Sequence, residues 1–224
     1  MADPGTDDKT RHSLAVEAGL IKDEDERAAK EASNGLEQID TVVEIAEHYL
    51  QNHLDFKLRL SHLLNLNRVA LNGISSYAGN FRPSEIKIGG SAHTPPGAHL
   101  VPGAAEEMCD YVNDNWGSAS GIHLAAYTLW RLNWIHPFTD GNGRTARAAS
   151  YLVLCVKIGN VFYASNTVPV QIAADKRPYY KALEAADAAW EKSKQVDVGA
   201  LEQLLDSFFQ RQLQSVLERA RGSA

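Results

Sequence analysis

The sequence is short of the residues that would staple the chain, tie it to a membrane or give it a basic surface. It holds two cysteines, Cys109 and Cys155, in 224 residues. Each falls inside an apolar helical pattern without a C-x-x-C partner, so both read as buried free thiols rather than as a disulfide framework or a thiolate metal centre. No stretch approaches the roughly 18 consecutive apolar residues of a membrane span. The start, MADPGTDDKT, is acidic and has no apolar run behind basic residues, so the expectation is a soluble, cytoplasmic, unsecreted protein with no membrane partner. Positive charge is also in deficit, with 22 Lys and Arg against 28 Asp and Glu for a net −6. Sequence-independent binding of nucleic acid needs a basic face, so nucleic acid is not an expected partner. A small phosphate ligand needs only a local site, which leaves nucleotide chemistry open.

With 44% hydrophobic residues, the chain can bury the core of one sizeable domain and a short extension. The first thirty or so residues include helix-forming stretches such as DEDERAAKEA but little large apolar surface, and predict a frayed or weakly docked start. From Thr41 to Leu71 apolar residues recur at spacings of three and four, which predicts helix. AAEEMCDYVNDNW and SGIHLAAYTLWRLNWI read as two more helices, the second apolar nearly all round and therefore central. TARAASYLVLCVKIG reads as a helix ending at Gly159, a residue suited to a left-handed cap. Later segments bring the count to seven or eight helices. Strand-like sequence is scarce, confined to FRPSEIKIGGSAHTPPGAHLV, where Ile86 and Ile88 alternate before a Gly- and Pro-rich turn. The predicted fold class is all-α with one short β-hairpin.

HPFTDGNGR joins two of these helices. Gly141, Asn142 and Gly143 precede a helix whose N-terminal N–H groups can face an anion. Arg144 and Arg147, three apart on one helical face, can grip successive phosphates, a geometry better suited to a triphosphate than to a lone sulfate. Asp140 supplies a carboxylate oxygen for a phosphate-bound Mg²⁺. His136, at the mouth of the loop, has the chemistry of a base for an attacking hydroxyl. A capped interhelical loop would account for each residue alone. Base, carboxylate, anion nest and two arginines within twelve residues describe a site for phosphoryl or nucleotidyl transfer.

HPFTDGNGRTAR resembles the Fic motif, H-x-F-x-[DE]-[AG]-N-G-R-x-x-R, at every specified position. The resemblance implies a Fic helical core over residues 40–190, an N-terminal extension at 1–39 and a C-terminal helical extension at 191–224. It implies that His136 is the general base, that Asp140 binds Mg²⁺, that Arg144 holds the β-phosphate side and Arg147 the γ-phosphate, and that buried Phe138 anchors the loop. Gly141, Asn142, Gly143, Thr145 and Ala146 complete the implied nucleotide-binding loop. EIKIGGSAHTPP is similar to the family's flap, with Ile86, Lys87, Ile88 and Gly89 docking an extended target segment by β-augmentation. Tyr179 and Tyr180 look like the family's paired tyrosines at the adenine, and Asp187 stands where similar members carry Asn. SNGLEQ, from Ser33 to Gln38, resembles the inhibitory motif [ST]-x-x-x-E-[GN] except at Gln38. That resemblance implies an ion pair between Glu37 and Arg147 that keeps ATP from seating its γ-phosphate.

The implied activity is transfer of AMP from ATP to a Ser, Thr or Tyr hydroxyl of a target protein, with self-modification as a further outcome and a homodimer compatible with the pattern. Transfer of UMP, phosphate or phosphocholine, or removal of AMP, are the enzymatic alternatives. A nucleotide-binding toxin–antitoxin partner that transfers nothing is the alternative outside enzymes, and an intact His136 and Asp140 argue against it.

Overall fold

The computed structural model describes residues 19–222, so the acidic start of the chain lies outside the described residues. Eight α-helices follow one another: α1 (Glu24–Gln51), α2 (Leu60–Ala70), α3 (Val101–Asp114), α4 (Gly121–Ile135), α5 (Asn142–Ile158), α6 (Val168–Ala174), α7 (Arg177–Ser193) and α8 (Gly199–Ala220). The all-α class expected from the periodicity is the class observed. Helices α4 and α5 pack on each other most extensively at the centre, with α1 and α2 against α5, and α3 and α8 against α4. Their burial on all sides matches their composition. Leu124, Leu129, Trp130, Leu132 and Ile135 on α4 and Ala149, Leu152, Val153 and Leu154 on α5 are all essentially inaccessible. Gly159 closes α5 with φ +81°, as its place in the pattern predicts.

Helix α1 corrects the expectation of a weakly docked start. It begins at Glu24, with the Asp23 carboxylate accepting from the Glu26 amide at 2.8 Å and three acidic residues in its first turn, both favourable to the helix N-terminus. It runs unbroken to Gln51, so the expected division between 39 and 40 falls inside a helix. The division between 190 and 191 likewise falls inside α7. The N-terminal half of α1 docks through polar groups, which a search for apolar spacing passes over. Asn34 is fully buried and its Nδ2 donates to the carbonyls of Ala70 and Asn72, at 3.3 and 2.8 Å. Buried Gln38 donates to the Leu66 carbonyl at 2.8 Å. Between them Gly35 has open space around the place of a Cβ, a mid-helix glycine that lowers helix propensity by about 1 kcal/mol relative to alanine.

The expected hairpin does not form. Among the described residues there is no β-strand, and between α2 and α3 only Ile88 makes an isolated bridge. Pro83, Pro95 and Pro96 have no amide hydrogen to give to a ladder. The carbonyls at the two ends of the segment turn to a side chain instead, because Ser84 and Pro96 both accept from the buried guanidinium of Arg82. Ile86 is buried and Lys87 exposed, so these residues form an irregular strap rather than a paired edge.

No helix among the described residues is long and apolar enough to cross a membrane.

Candidate active site

The loop between α4 and α5 is held by its own polar groups. The Asn142 side chain clamps Phe138 from both sides, with Oδ1 accepting from its amide at 2.9 Å and Nδ2 donating to its carbonyl at 2.8 Å. Phe138 is fully buried and packs near Phe81, ring centres 5.8 Å apart. Fully buried Asn67 on α2 ties three pieces together. Its Nδ2 donates to the Asp140 carbonyl at 3.1 Å and lies 3.3 Å from Thr145 Oγ1, while its Oδ1 accepts from the Gly79 amide at 3.0 Å. Gly141 has φ +73°, and a Cβ there would meet Asn67 Nδ2 at 3.2 Å. Both the backbone conformation and the close approach therefore call for glycine.

His136 caps α4 in the left-handed region, φ 51° and ψ 58°, a conformation that costs a residue with a Cβ about 1–2 kcal/mol. The Arg82 amide donates to the Pro137 carbonyl at 2.9 Å and Arg82 Nε to the His136 carbonyl at 2.9 Å, which brace that conformation. The imidazole Nδ1 lies 3.3 Å from the Asn133 carbonyl. A carbonyl can only accept, so Nδ1 carries the hydrogen and Nε2 is the basic nitrogen. Burial pushes the His136 pKa down to about 4, opposed by the Asn133 carbonyl and by Asp140 and reinforced by the charges of Arg82 and His93. At neutral pH the ring is uncharged and competent to take a proton.

Two adjoining recesses meet at His136, Gly143, Arg147 and Tyr180. One, of about 570 Å³, is lined by Trp130, Trp134, Tyr179, Leu183 and Asp187 and edged by Ile88, Ser91 and His93. Its walls are aromatic, with a few fixed polar groups. The other, of about 880 Å³, is lined by Asp140, Asn142, Arg144, Lys176, Arg27 and Glu31. The structure thus brings together His136, Asp140, Gly143, Arg144, Arg147, Tyr180 and Asp187 as the sequence predicts. Tyr179 reaches the cleft as a core residue only 1% exposed, its hydroxyl accepting from Asn133 Nδ2 at 2.7 Å. Asp187 Oδ1 accepts from the Trp130 indole at 2.8 Å.

Three expectations need correction. Thr145 and Ala146 are fully buried, on the face of α5 opposite the cleft, and the Thr145 amide is spent on the Gly141 carbonyl at 2.9 Å. They support the loop and do not line it. The Asn142 side chain is committed to Phe138, which leaves its backbone as the part facing an anion. Ser33 and Glu37 are exposed, and no ion pair joins Glu37 to Arg147. The reason is helical phase: at 100° per residue, Glu37 sits about 120° round α1 from Glu31 and some 9 Å further along. Gln38 is the residue at that level which faces the core.

The glutamate at the site is Glu31, and with it comes Arg27. Arg27 Nη2 lies 3.0 Å from Asp140 Oδ2 and its Nε 3.1 Å from Glu31 Oε1. Arg144 closes the ring, its Nη2 3.3 Å from Asp140 Oδ2 and its Nη1 3.6 Å from Glu31 Oε2. Arg144 Nη1 is buried and, beyond its 3.6 Å approach to Glu31, makes no hydrogen bond. Sequence reasoning also missed Arg82, His93, Asn133, Trp130 and Trp134. Arg27, Glu31, Asn34 and Gln38 share one helical face, a signal readable once α1 is extended back to residue 24.

Asp140 suits a metal held mainly by its ligand. Its Oδ1 accepts from the Gly141 amide at 2.6 Å, Oδ2 meets Arg27 and Arg144, and no group of three or more His, Cys, Asp or Glu gathers among the described residues. One carboxylate beside two arginines fits Mg²⁺ completed by phosphate and water oxygens, and does not fit an all-protein cage.

The loop lies within the stretch that matches known proteins. Residues 57–154 match the family model described as the Fic/DOC family. The chain is 29% identical over 149 residues to the protein adenylyltransferase Fic of Drosophila willistoni, covering 65% of this chain and 28% of that protein. It is 26% identical over 189 residues to protein adenylyltransferase fic-1 of Caenorhabditis briggsae, covering 79% and 36%. It therefore spans about a third of the length of the curated relatives it matches. Among solved structures, Fic-1 (residues 134–508) from C. elegans superposes with TM-score 0.63 at 21% identity, covering 84% of this chain and 51% of that one. A Fic domain containing signaling protein from Bacteroides thetaiotaomicron superposes with TM-score 0.65 at 19% identity, covering 85% and 74%. These structures share the fold.

Proposed function

Since residues 57–154 match the model of the Fic/DOC family, we propose that the chain is a protein adenylyltransferase, moving AMP from ATP to a hydroxyl of a target protein. One observation carries the reading. A neutral imidazole, with its Nδ1 hydrogen given to the Asn133 carbonyl, lines both an aromatic recess and a polar recess walled by Arg144, Arg147 and Asp140.

The chemistry balances with these groups. The target hydroxyl oxygen attacks the α-phosphorus, its proton passes to His136 Nε2, and the bond to the β-phosphate breaks to release pyrophosphate. Arg144, Arg147 and the first-turn amides of α5 stabilise the charge that builds on the leaving pyrophosphate. Asp140 is the residue that would hold Mg²⁺, which when bound neutralises phosphate charge. The aromatic recess, with Tyr180, Trp130 and Asp187, takes the nucleobase. A base catalyst in this position contributes roughly 10² to 10⁴ in rate.

The check on activity belongs to the first turns of α1, through Glu31 and Arg27 rather than Glu37. Their ring of ion pairs occupies Arg144 and Asp140, two groups the nucleotide requires. The strap over 84–96 edges the aromatic recess through Ile88, Ser91 and His93 and is the place for the target segment.

The test is incubation with ATP and Mg²⁺, with mass spectrometry of the protein and of lysate proteins. An AMP adduct on a hydroxyl, lost in His136→Ala, supports the reading. An adduct of another mass from another nucleotide would replace AMP by that group, and no adduct from any nucleotide would sink the proposal.

A further inference from the structure

The most heavily committed side chain near the cleft touches neither recess. Arg82 is 3% exposed and sits on the strap between α2 and α3, far in sequence from the loop it braces. Its three guanidinium nitrogens each meet a different carbonyl: Nε that of His136 at 2.9 Å, Nη1 that of Ser84 at 2.9 Å, and Nη2 that of Pro96. Its own amide donates to the Pro137 carbonyl at 2.9 Å. One residue thus joins both ends of the strap to the residue that begins the loop.

We infer that Arg82 is a positioning residue for transfer: it fixes His136 in its left-handed conformation and fastens the strap to it, so that base and target segment share one frame. The inference rests on the adenylyltransferase reading and names what aligns its two substrates. The planar fork is what the task requires, since three carbonyls from three parts of the chain converge on it in fixed directions. A lysine ammonium keeps the charge but cannot span all three. The strap has no ladder of its own, so its ends depend on this fork and on smaller ties. Those include the Glu85 carboxylate accepting from the Ala98 amide at 3.0 Å. A further tie joins His93 Nε2 to the Trp134 carbonyl at 2.7 Å.

The arginine does a second thing by proximity. Its charge, with that of His93, lowers the His136 pKa, while Asp140 raises it. Geometry and field are separable by substitution. Arg82→Lys loosens the frame and keeps the cation, and Arg82→Met removes both.

The test measures both variants beside the parent, in full-length protein, by three readouts: ATP affinity by calorimetry, transfer rate at saturating ATP, and the acid limb of the pH–rate profile. ATP affinity should stay within about threefold, because the arginines of α5 and Asp140 are untouched. The saturated rate should fall by about tenfold to a hundredfold in both, the scale of a misplacement near 1 Å. The acid limb should move to higher pH in Arg82→Met and stay in Arg82→Lys. A folded variant that transfers at the parental saturated rate would overturn the inference, as would a loss explained wholly by weaker ATP binding. If the parent itself transfers nothing, the functional reading fails, and amide exchange decides the positioning role alone. Faster exchange at Ser91, His93 and His136 in Arg82→Lys, with α5 unchanged, supports it; unchanged exchange there refutes it.

Discussion

Arg27 Nη2 lies 3.0 Å from Asp140 Oδ2, so a side chain from the first helix stands on the carboxylate proposed above as the one to hold Mg²⁺. A guanidinium and a hydrated Mg²⁺ cannot both take that oxygen face. Arg27 is 41% exposed and Asp140 30%, and a partly exposed pair is worth at most about 1 kcal/mol. Arg27→Ala should therefore tighten Mn²⁺ binding in the presence of nucleotide by about two- to fivefold, read by electron paramagnetic resonance of free Mn²⁺. Unchanged or weaker binding would mean that Arg27 does not compete for the site.

Glu31 and Glu37 make opposite forecasts. Glu31 lies 3.6 Å from Arg144, and Glu37 is exposed on another face. Glu31→Gln should raise ATP affinity, by no more than about fivefold for so exposed a pair, and raise adduct formation with it. Glu37→Gln should match the parent in both. An increase confined to Glu37→Gln would restore the brake to the position implied by the SNGLEQ resemblance.

The pH dependence follows from His136, whose pKa falls to about 4. The ring is needed neutral, so kcat/KM, which reports the free enzyme, should hold as pH drops below 6.5 and decline only on approaching 4. Stability moves in the same window. The unfolded histidine binds a proton below about 6.5 while the folded one does not until near 4, so this group's share of stability is lost as pH falls between those values and changes little below. His136→Asn should flatten that part of the denaturation-versus-pH curve, a comparison made by urea titration.

Asn142→Ala removes both halves of the clamp on Phe138 and leaves a buried amide and carbonyl without partners. Each costs about 1–3 kcal/mol when unsatisfied, so a loss of about 2–6 kcal/mol is expected in urea unfolding. A loss under about 0.5 kcal/mol would show that the loop has other means of closing.

How much of this could be read beforehand depended on the kind of interaction. Helices α4 and α5 announce themselves through Leu, Ala and Val at helical spacing, and the loop between them through a dense set of polar residues with a shared task. Asn34, Gln38 and Asn67 do not, because a buried amide in a helix resembles a surface amide until its carbonyl partner is known. The same holds for Arg82, whose three acceptors come from backbone positions up to 54 residues away. The strap misleads for a related reason: alternating Ile86 and Ile88 suggest a ladder, but the prolines around them and the claim of Arg82 on the terminal carbonyls remove the partners a ladder needs. Glu37 was favoured by a short pattern, whereas the pitch of α1 places Glu31 at the site.

Helix α1 carries its one interior glycine, Gly35, between the turns that bear Arg27, Glu31 and the buried anchor Asn34 and the turns pinned by Gln38, Val42 and Ala46. Fraying of the turns before Asn34 would free Asp140 and Arg144 from Arg27 and Glu31 while the Asn34 and Gln38 anchors stay seated. Gly35→Ala should favour the helix there by about 1 kcal/mol and, with open space for the added methyl, hold Arg27 and Glu31 on the recess without touching any group in the cleft.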